Sequence, residues 1–151
     1  MKSLNEKIIS AINDLIEVID NRIKGYDIAS KETKEFDLKN IFHEIATKSK
    51  KLKKELIPIV LKYGGKIEKG TNDSGKVYKA WMDIKTALTG KNRKAILNSC
   101  EFGEDVAYSI YKSTLRNNKF PSGVKSVIEK QKTLLKIDHD KIKTMRDLAM
   151  V

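Results

Sequence analysis

An all-α fold, a single bundle of four long helices, is what the sequence predicts, and three observations predict it. Apolar residues recur at steps of three and four along four separate stretches, the spacing that keeps one face of a helix apolar. No stretch sustains apolar–polar alternation, so essentially no sheet is expected. Two of the three connections span only a handful of residues, which forces the helices they join to lie antiparallel.

The first stripe runs Leu4, Ile8, Ile12, Leu15, Ile19, Ile23, Tyr26, one face of a helix of about 25 residues. Ser3 followed by Glu6 is a capping box for its start. The second stripe, Leu38, Phe42, Ile45, Ser49, Leu52, Leu56, Ile59, Tyr63, follows a cap at Asp37 and stops at Gly64 and Gly65. Pro58 falls inside it and should kink its last turns rather than end it, because the apolar period continues beyond. From Gly64 to Gly75 there is little to bury, which predicts a loop. Val77, Trp81, Ile84 and Leu88 then predict a short extra helix halting at Thr89 and Gly90. The third long stripe is Leu97, Cys100, Glu104, Ala107, Tyr111, Thr114, ending near Asn117 and Asn118. Pro121 suits the first position of a last helix, with Val124, Ile128, Gln131, Leu135, His139, Ile142, Met145 and Ala149 on its inner face.

Connection lengths carry the topology. Roughly 27 residues separate the second and third long helices, enough for a loop and a short helix to run the ~37 Å length of a 25-residue helix. Two helical hairpins joined by one long crossover is the ferritin-like arrangement. Residues 1–151 form one domain in this reading.

Composition narrows the function. At 40% hydrophobic and 34% charged the chain can bury a core and is not of disordered type. The apolar runs are far short of the roughly 20 residues that cross a bilayer. Asn5 and Glu6 interrupt what would be the apolar region of a signal peptide, so a cytoplasmic protein is expected. A single cysteine, Cys100, excludes an internal disulfide and any zinc site built on two thiolates, and reads as a small buried residue. Eight scattered glycines form no phosphate cradle, and no nucleophile motif supports covalent catalysis. The net charge of +11 raises nucleic acid as a partner, but lysines are spread along the chain. The dense run from Lys48 to Lys54 reads as a solvated helix face, and basic residues do not interleave with aromatics, which make up 7%.

The segment from Trp81 to Asp105, with Trp-Met-Asp-Ile-Lys and Cys-Glu-Phe-Gly-Glu-Asp, resembles an uncharacterised bacterial family of ferritin-like four-helix-bundle proteins. The run from Asn13 to Glu17, His139-Asp140 and Arg146-Asp147 fit the same pattern. The resemblance implies the fold and little about activity. It suggests a stress-associated role only through kinship to YciF-type proteins, with rubrerythrins as more distant relatives.

Ferritin-like di-iron proteins supply one Glu from each of two helices and a Glu-x-x-His pair from each of the other two. With the patterns of rubrerythrin-like relatives as guide, the first-helix ligand falls on Ile19, beside Asp20, and the second-helix pair falls on Ser49 and Leu52. Glu104 keeps the third-helix place. His139 stands for the fourth-helix histidine, and Lys136 replaces its acidic companion. Glu104 and His139 are therefore the surviving pair, both on inward stripes, and are expected to face each other as a buried polar pin. A metal ion held by these two with Glu101 or Asp20 is the alternative. Tyr26, Tyr111 and Trp81 read as core, Arg146 and Asp147 as surface or dimer contacts, and His43 lies off the inward stripe.

Three functional readings follow. The first is a non-catalytic bundle, a homo-oligomer and most simply a dimer, with a stress-related structural or interaction role and no cofactor. The second is a degenerate protein binding iron or manganese at Glu104 and His139. The third is a non-specific nucleic-acid binder.

Overall fold

The computed structural model describes residues 3–68 and 92–149. Four helices make up its regular structure, and among the described residues there is no strand. They are α1 (Leu4–Glu32), α2 (Phe36–Lys62), α3 (Arg93–Asn117) and α4 (Ser122–Leu148). The short helix and Trp81 expected between Val77 and Leu88 lie outside the described residues.

Helix α1 begins where Ser3 Oγ accepts the Glu6 N–H at 3.1 Å, satisfying a donor that has no partner inside the helix. It runs 29 residues, past the expected end near Tyr26, because the buried face continues through Ala29 and Ser30. Helix α2 starts at Phe36, so Asp37 lies in its first turn and is not its cap; Glu35 holds the cap position and makes no side-chain capping bond. There the Asp37 carboxylate complements the positive end of the helix dipole. Pro58 sits within α2 without ending it. Asn92 caps α3 by accepting the Ala95 N–H at 3.0 Å, and Pro121 precedes α4 at its cap position.

The end of α2 needs both its glycines. Gly64 adopts φ +87°, a left-handed conformation that side chains with a Cβ rarely take. Gly64 N–H then reaches Leu61 O at 3.1 Å and Gly65 N–H reaches Val60 O at 3.0 Å, the paired bonds of a Schellman motif. A Cβ on Gly65 would stand 2.6 Å from Ile9 Cγ2 of α1. Beyond this turn the Asn13 side chain holds the chain to α1, donating to Lys66 O and accepting from Glu68 N–H, each at 3.1 Å.

Helix α1 packs along α2 and α3 along α4, and the two hairpins meet through α1 against α3 and α2 against α4. Three residues separate α1 from α2 and four separate α3 from α4, so each hairpin is antiparallel. The Arg93 guanidinium at the start of α3 is bonded to Asp37 and lies 3.2 Å from Glu35. The start of α3 therefore lies beside the α1–α2 turn, whereas α2 ends at the other end of the bundle. Helices α2 and α3 run parallel on a diagonal, and the chain from Glu68 to Asn92 joins opposite ends.

The core is the set of side chains the stripes select. Ile8, Ile12, Leu15, Ile19 and Tyr26 of α1 are buried, as are Leu38, Phe42, Ile45, Leu52 and Leu56 of α2. Leu97, Cys100, Ala107 and Tyr111 of α3 meet Val124, Ile128, Leu135 and Ile142 of α4. Each large aliphatic side chain enclosed in this way contributes roughly 1.5–3 kcal/mol through removal from water. Among the described residues no helix is long and apolar enough to cross a membrane.

Candidate functional site

Among the described residues, a charged centre built around Arg22 sits inside this apolar interior. Arg22 and Glu104 are both fully buried. Nε and Nη2 of Arg22 donate to Glu104 Oε1 at 3.2 and 2.8 Å, and Nη2 also reaches Oε2 at 3.1 Å. Nη1 donates to Ser49 Oγ at 2.8 Å, and Nη2 donates to Asp138 Oδ2 at 2.9 Å. Arg22 comes from α1, Ser49 from α2, Glu104 from α3 and Asp138 from α4, so one guanidinium ties all four helices. Tyr26, one turn after Arg22, donates its hydroxyl to Glu104 Oε1 at 2.7 Å. Its ring packs on Phe42 with centroids 5.6 Å apart.

The electrostatics follow from burial. Removal from water works against the Arg22 charge, but the attraction of Glu104, and after it Tyr26 and Asp138, outweighs this and raises the guanidinium above its ordinary value. Burial pushes the Glu104 carboxyl up, while Arg22 and Tyr26 pull it back. Both Glu104 oxygens accept hydrogen bonds, the pattern of an ionised carboxylate. Burial also raises the Tyr26 hydroxyl and the Cys100 thiol, each with Glu104 as the second cause. Asp138 has a further cation within reach, Lys48 Nζ at 3.8 Å from Oδ1. Two carboxylates are thus set against Arg22 inside and Lys48 at the rim.

A second polar layer lies nearer the far end of α2. Tyr111 donates to Gln131 Oε1 at 2.6 Å, and Gln131 Nε2 donates to Leu52 O at 3.1 Å and Glu55 Oε1 at 2.9 Å. Burial pushes the Tyr111 hydroxyl up as well.

The expected pairing of Glu104 with His139 does not form, because Arg22 takes the carboxylate and Asp138 takes the inward place on α4. Counting inward from Leu135, steps of three then four reach Asp138 and Ile142, whereas steps of four then three reach His139 and Ile142. Both satisfy the helical period, and the first is realised. His139 sits instead on the flank of α4 against α3, its side chain 17% exposed, with Nε2 2.6 Å from Asp105 Oδ1 and Nδ1 3.0 Å from Asp140 Oδ1. Glu101 is close by and ion-paired with Arg146. Glu101, Asp105 and His139 each offer a ligand atom within 4.8 Å of the others. Asp20 joins neither group; its carboxylate is bonded to Lys53 Nζ at 2.7 Å on the α1–α2 surface. Lys136 faces solvent and pairs with Asp140 at 3.0 Å, and His43 is exposed.

The same choice of steps hid Arg22. Between Ile19 and Tyr26 the period admits residue 22 or residue 23, and Ile23 looks the natural occupant. A compositional signal was available: four of the 31 basic residues are arginine, and three of those four, Arg22, Arg93 and Arg146, grip carboxylates. Arginine's planar fork suits buried and bidentate pairing where lysine's point charge does not.

Residues 7–117 match the profile of one protein family, described as Domain of unknown function (DUF2383). The chain belongs to this family. The match takes in most of α1 and all of α2 and α3, and with them Arg22, Tyr26, Ser49 and Glu104. No curated protein matches the sequence. Membership in DUF2383 brings no activity with it, so functional inference rests on the side chains.

Proposed function

We propose that this DUF2383 protein is a non-catalytic, ferritin-like bundle with a structural or interaction role. The observation that carries the reading is the Arg22 guanidinium of α1 bonded to Ser49 of α2, Glu104 of α3 and Asp138 of α4, a constellation drawn from four helices as the ligands of ferritin-like di-iron proteins are. The parallel diagonal of α2 and α3 supports the ferritin-like topology. Donors as they stand do not fit a metal there. A guanidinium has no lone pair to offer, keeps its charge at every accessible pH and already holds both carboxylates. It compensates the buried carboxylates as a bound metal ion would, without redox chemistry.

A stress-associated role rests on the resemblance to YciF-type proteins, and a cytoplasmic setting on the sequence alone. Self-association has support on α4, where Leu134, Ile137 and Leu148 are 41%, 55% and 78% exposed on one flank, with Lys141 and Thr144 between the last two.

The test is oxygen consumption by the purified chain with added Fe(II), alongside mass measurement in solution. The proposal expects oxidation no faster than buffer and a dimer. Rapid Fe(II) oxidation lost in Glu104→Ala would overturn it in favour of a metal centre that uses the buried Glu104. Retardation of random DNA that disappears as salt is added would favour a role for the +11 charge.

A further inference from the structure

We propose that Glu101, Asp105 and His139 form a surface site for one divalent transition-metal ion of the zinc type, clasping α3 to α4. This stands apart from the interior reading, since it uses neither Arg22 nor Glu104. The donor set joins one imidazole with two carboxylates, a mixture that suits borderline ions such as Zn²⁺. Glu101 and Asp105 are four residues apart on α3 and so share one face, and His139 reaches them from α4.

Geometry supports the site. Donors around a zinc ion stand roughly 3.0–3.5 Å apart, given metal–ligand bonds near 2.0–2.2 Å. The three ligand atoms lie within 4.8 Å of one another, and His139 Nε2 is already 2.6 Å from Asp105 Oδ1. The 2.6 Å contact is a direct His139–Asp105 hydrogen bond, so an ion would replace it, opening that pair to the donor spacing and drawing Glu101 in. The imidazole is also set from behind. Asp140, which is outside the donor set, holds His139 Nδ1 at 3.0 Å and thereby leaves Nε2 to face the two carboxylates. A carboxylate on the far nitrogen is the arrangement that fixes the tautomer and strengthens a metal-binding histidine.

Arg146 is the competitor. Its Nη1 is paired with Glu101, while Nε and Nη2 bond Asp147 at 3.1 and 2.8 Å. An arriving ion displaces the guanidinium from Glu101 onto Asp147, a partner it already holds. The arginine therefore weakens the site without blocking it, and its removal should tighten binding.

The experiment is calorimetric titration of Zn²⁺ into the full chain after chelator treatment, repeated with Co²⁺ to follow its visible absorption. About one ion per chain is expected, with the Co²⁺ spectrum showing nitrogen and oxygen ligation. Binding should vanish in His139→Ala, weaken roughly 10- to 100-fold in Asp140→Asn, and tighten several-fold in Arg146→Ala, a gain that misfolding cannot imitate. The exposed His43 serves as control, and His43→Ala should bind as the parent does. Absence of saturable binding, equal binding in His139→Ala, or equal loss in His43→Ala would each overturn the proposal. Glu104→Gln leaves this binding in place if the two centres are separate, so failure here and failure of the interior reading are told apart.

Discussion

Arg22 and Glu104 are 82 positions apart in sequence and joined by bonds of 2.8, 3.1 and 3.2 Å in a space closed to water. A buried ion pair of this kind is costly to break from one side, because the survivor remains charged and enclosed.

Arg22→Met should therefore destabilise the fold by about 3–5 kcal/mol. Urea unfolding followed by circular dichroism measures it. Adding Glu104→Gln to Arg22→Met should recover part of the loss, with a coupling of roughly 0.5–3 kcal/mol in the double-mutant cycle. Strict additivity would mean that the two side chains do not depend on each other.

Tyr111→Phe removes the donor to Gln131 Oε1 and leaves that oxygen buried without the bond. A loss of about 1–3 kcal/mol is expected by the same unfolding measurement. A change of zero would require the amide to find another donor in the core.

Gly64→Ala places a Cβ on a residue at φ +87°, with open space around it. Steric crowding is thus no part of the effect, and backbone strain of about 1–3 kcal/mol is. A lowered Tm reports it. Gly65→Ala acts differently, through the 2.6 Å approach to Ile9, and trimming Ile9 to Ala should relieve it.

Asp37 gives the acid dependence its sign. The hydrogen bond from Arg93 holds its carboxyl below the ordinary value of 3.8. A depressed folded value means that stability is present above the unfolded value and drains away as pH falls through the folded one. The pair is half-exposed, so its share is no more than about 0.5 kcal/mol. Asp37→Asn should flatten the decline in stability below pH ~4 by that amount. An unchanged acid limb would assign the decline to other carboxylates.

Cys100 should resist thiol reagents in the native protein, since burial and the nearby Glu104 both push its thiol up and keep the nucleophilic thiolate scarce. Labelling is expected to speed up as denaturant rises, in step with unfolding. Prompt labelling in native buffer would show that the interior opens locally.

Much of the bundle was legible in the sequence. The stripes of α2 and α3 are buried as the period requires, apart from a half-buried Tyr63, and the ends at Gly64 and Asn117 are where turn chemistry places them. Glu104 was legible too, as an acid on an inward stripe. Its counter-charge was not, because helical periodicity constrains spacing to within a residue and identity decides the rest. At 22 or 23 and again at 138 or 139, residue identity taken singly favours the apolar or metal-binding occupant. The protein instead turns a cation and an anion inward at both places. Each such residue would be destabilising alone, and together with Glu104 they are compatible with a core. Single-sequence reasoning weighs residues one at a time and misses that compensation.

The reach of Asp138 has a bearing on how this chain can be divided. The family match stops at Asn117, yet the guanidinium is completed by a side chain 21 positions later. Severing the polypeptide at that boundary would strip one wall from the interior and hand half of an ionic centre to solvent. The match therefore marks where sequences are recognisably alike, while the packed core and its ionic centre extend into the last helix.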